Sequence, residues 1–278
     1  MEWVIVCPDR IKDVFRHLIL SFKYELKITS VLYDINDIFK LMNKKVILFG
    51  AQELCKYREY SSFLLFNDVC LYNTEQLQSK SWDYIIYTSL KVREWWDYSL
   101  TNIEYLQENN FPIKTKHIYF GYSEVLEVPL KEELNKKSLT FFGTHHDRRY
   151  ILCDTLQQKL GDDYEVKYNT SGNLYKEVYD DYISKNMIYL NIHYYVPSIL
   201  EIVRIVPLLC QGHLVITEKS NDKHLDNLFE PYVIWLEDII NNIPLLEDKI
   251  KNHDNQTLKE KFKNELNFKN LLKSFNLI

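Results

Sequence analysis

Two short stretches of the chain carry side chains suited to binding an anion. In the first, Phe-Phe-Gly-Thr-His-His-Asp-Arg-Arg, the small residues Gly143 and Thr144 let the backbone approach a ligand closely. A helix expected to start next would offer unpaired N–H groups to a diphosphate. Arg148 or Arg149 could add a guanidinium fork for phosphate oxygens. The alternative is a helix N-cap at Asp147 followed by two surface arginines.

The second stretch contains His193, Ser198, Glu201 and Arg204. One interpretation is that a helix start binds the diphosphate, while Glu201 accepts hydrogen bonds from ribose hydroxyls. Arg204 lies one turn later on the same face, where it could pair with Glu201 or with phosphate. The competing interpretation is structural, because Ser198 and Glu201 have the spacing of a helix capping box.

Carboxylates nearer the amino terminus could activate an acceptor hydroxyl. Glu75 and Asp97 each follow a strand-like run, so either could act as a general base. The alternative role for each is a helix cap or a turn residue. Trp95 and Trp96 could stack on a sugar ring or pack in the core.

Recognised metal and cofactor motifs are missing. His145, His146 and His193 show no HExxH, EF-hand or Cys/His spacing, so we expect no metal and no other cofactor. The nearest match to a DxD element, Asp180-Asp181, falls within a predicted helix. The chain has no GxxxxGK[ST], GxGxxG or GxSxG, which argues against nucleotide hydrolysis, dinucleotide redox chemistry and serine hydrolysis.

The elements that must position these residues alternate between strand-like and amphipathic runs, which predicts an α/β fold. The predicted strands are Glu2–Cys7, Ile28–Tyr33, Lys45–Phe49, Asp68–Tyr72, Tyr84–Thr88, His117–Phe120, Ser138–Phe142, Tyr164–Tyr168, Met187–Ile192, His213–Thr217 and Val233–Leu236. Ligands of parallel sheets bind outside the carboxyl ends of strands. That rule selects the loops Gly143–Arg149, His193–Glu201 and Thr217–Lys223, and adds Thr217 to the donor-binding candidates.

The alternation of strands and helices is interrupted near the middle of the chain and then restarts, which predicts two Rossmann-like domains facing across a cleft. Pro129 and the charged run KEELNKK read as a linker or as a solvated helix turn. We therefore predict one domain over 1–127 and a second over 128–257, followed by a Lys-rich helix over 258–278.

The composition sets broad limits on function. The net charge is −5, which argues against nucleic-acid binding driven by phosphate counterions. The five cysteines are scattered without a CxxC pair, which favours a reducing compartment. No apolar run is long enough to cross a bilayer. We therefore expect a cytoplasmic protein, in the host cytoplasm if the source is viral.

At these residues the chain resembles GT-B glycosyltransferases, especially the CgeB-like, group-1-type transferases of bacteria and large DNA viruses. Phe141–Arg149 is similar to the family pattern F-x-G-[ST]-x-x-x-R-R at the start of the donor-binding domain. Glu201 and Arg204, then Gln211-Gly212-x-x-Val215-Ile216, resemble its next segment. The familiar Glu-x7-Glu pair is missing, because Ile199 and Pro207 occupy those positions. The chain is also short for the fold, so its first domain must be trimmed.

The resemblance implies a metal-independent hexosyl- or deoxyhexosyl-transferase with a UDP- or GDP-type donor. The domain over 128–257 would bind this nucleotide sugar, the amino-terminal domain over 1–127 would bind the acceptor, and the helix over 258–278 would pack back on the first domain. Helix dipoles and basic side chains would stabilise the departing diphosphate in place of a metal ion. The implied partners are a nucleotide-sugar donor, a glycan or other hydroxyl acceptor and, as an option, a second copy of the chain. The missing Glu pair keeps open a non-catalytic nucleotide-sugar-binding or scaffold module. Another Rossmann-type enzyme, such as a methyltransferase, has no Gly-rich loop to support it.

Overall fold

Strands and helices alternate through the computed structural model, which describes residues 2–77, 83–170 and 176–278. The chain divides into two compact units. The first runs up to Phe120 and takes in Phe268–Ile278, and the second is Gly121–Asn267. The boundaries predicted after residues 127 and 257 therefore both fall inside the second unit.

The described part of the first unit contains a six-stranded parallel sheet in the order β2-β1-β3-β4-β5-β6. Its strands are β1 Trp3–Val6, β2 Ser30–Leu32, β3 Lys45–Phe49, β4 Asp68–Asn73, β5 Glu94–Asp97 and β6 Thr115–His117. The intervening helices are α1 Arg16–Glu25, α2 Ile35–Lys40, α3 Ala51–Leu54, α4 Tyr60–Phe66, α5 Asp83–Thr88 and α6 Leu100–Glu108.

The described part of the second unit contains a five-stranded parallel sheet in the order β11-β10-β9-β7-β8. Its strands are β7 Asn135–Phe142, β8 Glu165–Asn169, β9 Asn186–Asn191, β10 Leu214–Thr217 and β11 Val233–Trp235. Its helices are α7 Asp147–Leu160, α8 Lys176–Lys185, α9 Ile202–Leu209, α10 Lys223–Phe229, α11 Leu236–Asn241, α12 Ile243–Lys251 and α13 Asn255–Glu265. The prediction of an α/β fold with two Rossmann-like sheets is confirmed.

One predicted strand is a helix, and a second, His117–Phe120, shares only His117 with the observed strand β6. The segment Tyr84–Thr88 lies in helix α5, although its Tyr-Ile-Ile-Tyr-Thr composition favours a strand. Ile85 and Ile86 are buried while Tyr84 and Tyr87 are exposed. This pattern buries one face of a helix, so tertiary packing overrides the intrinsic preference of these residues.

The single closing helix predicted over 258–278 is also wrong, because two helices occupy this region. Helix α13 ends at Glu265, and a second helix, α14, spans Phe268–Ser274. Between them Leu266 accepts a hydrogen bond on its carbonyl from the Tyr122 N–H at 2.7 Å, and Asn267 forms an isolated β-bridge with Tyr122. These contacts bind the chain between the helices to the start of the second unit.

Helix α14 completes the aromatic core of the first unit. The Phe268 ring lies edge-on to Phe22, with ring centroids 5.0 Å apart, and edge-on to Phe120 at 5.7 Å. Phe22 in turn contacts Tyr72 and Trp96. The carboxyl-terminal residues are therefore part of the first unit's core.

The cysteines form no disulfide. Cys7, Cys70, Cys153 and Cys210 are buried, and Cys55 is partly buried. Burial raises the pKa of each of the four buried thiols to about 12, and it also raises the pKa of Cys55. Among the described helices, none combines the length and apolarity needed to cross a membrane.

Candidate anion-binding site

The candidate residues of the second unit gather where β7 and β9 end. Strand β7 lies between β8 and β9, so the chain leaves β7 towards one side and returns to its other side as β9. A parallel sheet binds ligands in the crevice at such a switch point. Gly143 directly follows β7, and His193 follows β9.

Two guanidinium groups flank Gly143. A Cβ atom added there would lie 3.2 Å from Nη1 of Arg149 and 3.3 Å from Nη1 of Arg204. Burial and the charge of Arg204 lower the pKa of Arg149 to about 10. Two like charges so close together repel each other, and a bound anion relieves the repulsion. Glycine keeps the space between the two guanidinium groups open.

Arg149 is held rigidly and is only 3% exposed. Its Nε donates to the Ile192 carbonyl at 2.9 Å, and its Nη1 donates to the Thr144 carbonyl at 3.0 Å. The guanidinium carbon lies 5.2 Å from the ring centroid of Phe141 and 5.1 Å from that of Tyr194. Arg149 forms no ion pair with any described carboxylate, so no direct partner neutralises its charge.

Arg148, the other candidate of this loop, has a different role. Its Nη1 and Nη2 form a two-pronged ion pair with Glu218, and Nη1 also donates to the His193 carbonyl at 3.1 Å. Glu218 engages both terminal nitrogens of Arg148, whereas Arg204 pairs with Glu201 through Nη2 and directs Nη1 towards Gly143. Direct phosphate contact by Arg148 stays a prediction. Of the two arginines, only Arg149 presents an uncompensated charge.

The N-cap of helix α7 lies one residue before the predicted cap. His146 is the N-cap, and its Nδ1 accepts from the Arg148 N–H at 3.3 Å, so the predicted cap at Asp147 is wrong. The Tyr168 hydroxyl braces this loop by accepting from the His146 N–H at 3.1 Å. The N–H group of exposed Thr144 donates to no described residue.

Glu201 is the centre of a charged network. Its Oε1 pairs with Arg204 at 2.7 Å, while its Oε2 lies 2.6 Å from Nδ1 of His193 and accepts from Asn191 at 3.1 Å. Burial opposes ionisation, yet Arg204 and His193 hold the pKa of Glu201 well below its usual range. Both carboxylate oxygens are therefore already bonded.

The capping-box interpretation of this segment is wrong. Ser198 is buried, and its hydroxyl donates to the Ile199 carbonyl at 3.1 Å. Helix α9 starts at Ile202, with Glu201 as an N-cap that makes no side-chain cap hydrogen bond. The first helical N–H groups donate to nearby backbone carbonyls, Ile202 to Leu200 and Arg204 to Glu201. The start of α9 therefore offers an anion fewer free amides than predicted.

Thr217 points inwards. Its side chain is fully buried, where the hydroxyl accepts from Asn191 at 2.9 Å and contacts the Glu218 carbonyl. The burial does not favour the expected donor contact at Thr217, which stays a prediction. Thr217 and Ser198 belong to the framework behind the site.

The two candidate bases of the first unit, Asp97 and Glu75, differ in their exposure. Asp97 is 0% exposed, and its carboxylate accepts from Asn73, Trp95, Asn102 and the Ser99 N–H. Burial raises its pKa to about 7. Asp97 is therefore enclosed in this structure, where it holds the neighbouring strand ends together, and its role as a base stays a prediction.

Glu75 is partly accessible. Its Oε1 accepts from Gln52 at 2.8 Å, and burial raises its pKa. It stays a candidate base. Trp95 and Trp96 are both 0% exposed, so they pack in the core and cannot stack on a sugar.

Sequence reasoning missed several residues that shape the site. Glu218 fixes Arg148, Asn191 links Glu201 to Thr217, and the rings of Phe141 and Tyr194 enclose Arg149. Glu218 lies in a loop that the strand-end rule selected, so its charge was a usable signal. Among the described residues, no three His, Cys, Asp or Glu side chains are grouped to hold a metal ion.

Comparison with known proteins identifies the fold alone. No family model and no curated protein matches the chain. The lipopolysaccharide outer core galactosyltransferase WaaB, in its apo form, has a similar structure with a TM-score of 0.56 and 10% identity, and the match covers 100% of each chain. This similarity confirms the predicted GT-B class at the level of two Rossmann-like units.

A GtfA/B complex matches with a TM-score of 0.49 and 11% identity, over 86% of this chain. The chain spans 58% of the length of that protein.

Proposed function

We propose that this chain is a glycosyltransferase whose second unit binds the diphosphate of a nucleotide-sugar donor, of UDP or GDP type, between Arg149 and Arg204. The convergence of these two guanidinium groups on Gly143 at the switch point carries the proposal. Such a pair can bind phosphate oxygens and stabilise the charge that develops on a leaving diphosphate. The fold shared with a galactosyltransferase agrees with this function.

The proposed reaction needs no metal ion, because the arginines would stabilise the leaving diphosphate. Glu75 is the proposed base for the acceptor hydroxyl, supported by its position after β4 and by the burial that raises its pKa. A glycan or other hydroxyl compound is the proposed acceptor.

Donor binding is tested by calorimetry with UDP-, GDP- and dTDP-sugars. We expect one class to bind, and Arg149→Gln to weaken binding roughly ten- to hundredfold because a charge-assisted hydrogen bond is lost. Arg58→Gln removes the same charge from an exposed position and serves as the matched control. Absence of binding by every nucleotide sugar would contradict the proposal.

Turnover distinguishes an enzyme from the second candidate, a non-catalytic nucleotide-sugar-binding module. That alternative is favoured by the enclosure of Asp97 and by the missing Glu-x7-Glu pair. An active enzyme should release nucleotide in the presence of an acceptor, lose this activity in Glu75→Gln and keep it in EDTA. Binding without release under any acceptor would favour the module, and activity restored only by Mn²⁺ would contradict metal independence.

A further inference from the structure

His193 is placed so that both of its ring nitrogens face oxygen acceptors. Nδ1 lies 2.6 Å from Oε2 of Glu201, and Nε2 lies 3.2 Å from the Lys219 carbonyl oxygen. A carboxylate and a carbonyl oxygen can only accept, so both nitrogens must donate, which requires the imidazolium form. The ring is 3% exposed, so water cannot easily replace either partner.

The surrounding charges stabilise this form. Charged residues surround His193 on several elements: Arg148 on α7 donates to its carbonyl, Glu201 and Arg204 lie just before and on α9, Glu218 and Lys219 follow β10, and Asp226 lies on α10. Lys219 contacts the ring through its backbone carbonyl. Burial alone would lower the pKa of His193, but the hydrogen bond and charge of Glu201 and the charge of Glu218 outweigh it, so the pKa is raised above 6.5.

The same carboxylate ties His193 to the anion site. Glu201 shares its charge between His193 and Arg204, and Arg204 reaches Gly143 with its other nitrogen, Nη1. When His193 loses its proton, one ring nitrogen presents a lone pair to an oxygen, and that contact is repulsive. Glu201 then compensates Arg204 alone, and the site loses one positive charge.

We propose that His193 is a protonation-dependent positioning residue, which in its charged form holds Glu201 and leaves the Arg204 guanidinium available at Gly143 to a polyanionic ligand. This inference rests on the proposed function for the ligand's identity, but its chemistry requires only an anion. Anion affinity should therefore fall as the pH rises through the pKa of His193.

Inorganic sulfate is a suitable probe because it stays a dianion across the pH range used. We expect its dissociation constant, measured by calorimetry on the full chain, to increase roughly three- to tenfold between pH 6 and pH 8.5. His193→Gln, which cannot titrate, should abolish this dependence. His224→Gln, at an exposed histidine on α10, is the matched control and should retain it.

A measurement on the unmodified chain avoids dependence on the folding of any variant. Because linkage is reciprocal, saturating sulfate must raise the pKa of His193, followed by NMR, by at least the logarithm of the factor measured between the two pH values. A purely structural histidine would show no such change. The signal is assigned by its loss in His193→Gln or, if that variant does not fold, from triple-resonance spectra.

The outcomes separate this inference from the proposed function. Equal sulfate affinity at both pH values, an unchanged pKa of His193, or no sulfate binding at pH 6 would overturn the role of His193. Nucleotide-sugar binding that is independent of pH would overturn the role of His193 and leave the proposed function intact. Sulfate binding that depends on pH, without binding of any nucleotide sugar, would support the inference and contradict the proposed donor.

Discussion

Three arginines of the second unit carry the same charge but differ in the ion pairs that they form. Arg148 is paired with Glu218, Arg204 shares Glu201 with His193, and Arg149 is buried without a described carboxylate partner. Adjacent residues in sequence thus differ in what they can bind. The available charge is set by the ion pairs around each guanidinium, which residue type and spacing do not reveal.

Gly143 gives a direct test of the anion site. In Gly143→Ala the new Cβ would lie 2.9 Å from Cζ of Phe141 and within 3.3 Å of both guanidinium groups. We expect the affinity for the bound nucleotide to fall about tenfold, or ~1.4 kcal/mol, since the space for phosphate oxygens is filled. Calorimetry measures the affinity, and thermal unfolding checks that the fold is retained.

The matched control for this prediction is Thr144→Ala. Thr144 is exposed and contacts Arg149 through its carbonyl, which the substitution preserves. If Gly143→Ala binds as tightly as Thr144→Ala, the anion does not lie between the arginines.

Among the elements, the turn before β10 depends on its packing against α13. Gly212 has φ of +75°, and a Cβ there would lie 1.8 Å from the backbone oxygen of Asn255. We expect Gly212→Ala to lower the free energy of unfolding by about 3 kcal/mol or more, because backbone strain and overlap with a helix start add together. Chemical denaturation measures this loss.

Gly161→Ala separates the two causes. Gly161 also has a positive φ, +59°, but no atom lies within 4 Å of its added Cβ. Its ψ is −141°, a backbone conformation that is largely restricted to glycine, so strain alone should cost about 1–3 kcal/mol there. Equal losses in both variants would mean that the contact with Asn255 contributes nothing.

Elements with a clear hydrophobic period were predictable from sequence. Buried runs such as Lys45–Phe49 are strands in the structure, because a short apolar run rich in β-branched residues and followed by glycine favours a strand that is covered on both faces. The segment Tyr84–Thr88 was not predictable, because its tertiary packing overrides a strong strand preference.

The site was predictable in its location and not in its contacts. The strand-end rule brought the loops after β7 and β9 together. It could not show that Asp97 is enclosed by amide donors, or that Thr217 points inwards, because these depend on partners distant in sequence.

At the scale of the whole molecule, helix α14 packs the carboxyl-terminal end of the chain into the core of the first unit. Phe268 is 0% exposed in the first unit's core. We expect Phe268→Ala to destabilise that unit by about 3–5 kcal/mol, the usual effect of removing a buried ring. Hydrogen exchange should show faster exchange in β1 and β3, with protection in β7 and β9 unchanged. Lys269→Ala, exposed on the same helix, is the control, and uniform loss of protection in both units would contradict independent cores.

Because its cysteine thiols are buried or partly buried, the unmodified chain is suited to site-specific labelling at an introduced cysteine. With their pKa values raised, all five cysteines stay protonated at neutral pH, and a protonated thiol reacts slowly with maleimides. A cysteine introduced at exposed Asn109 would therefore be alkylated first. Fluorescent or spin probes could then be attached without first replacing the native residues.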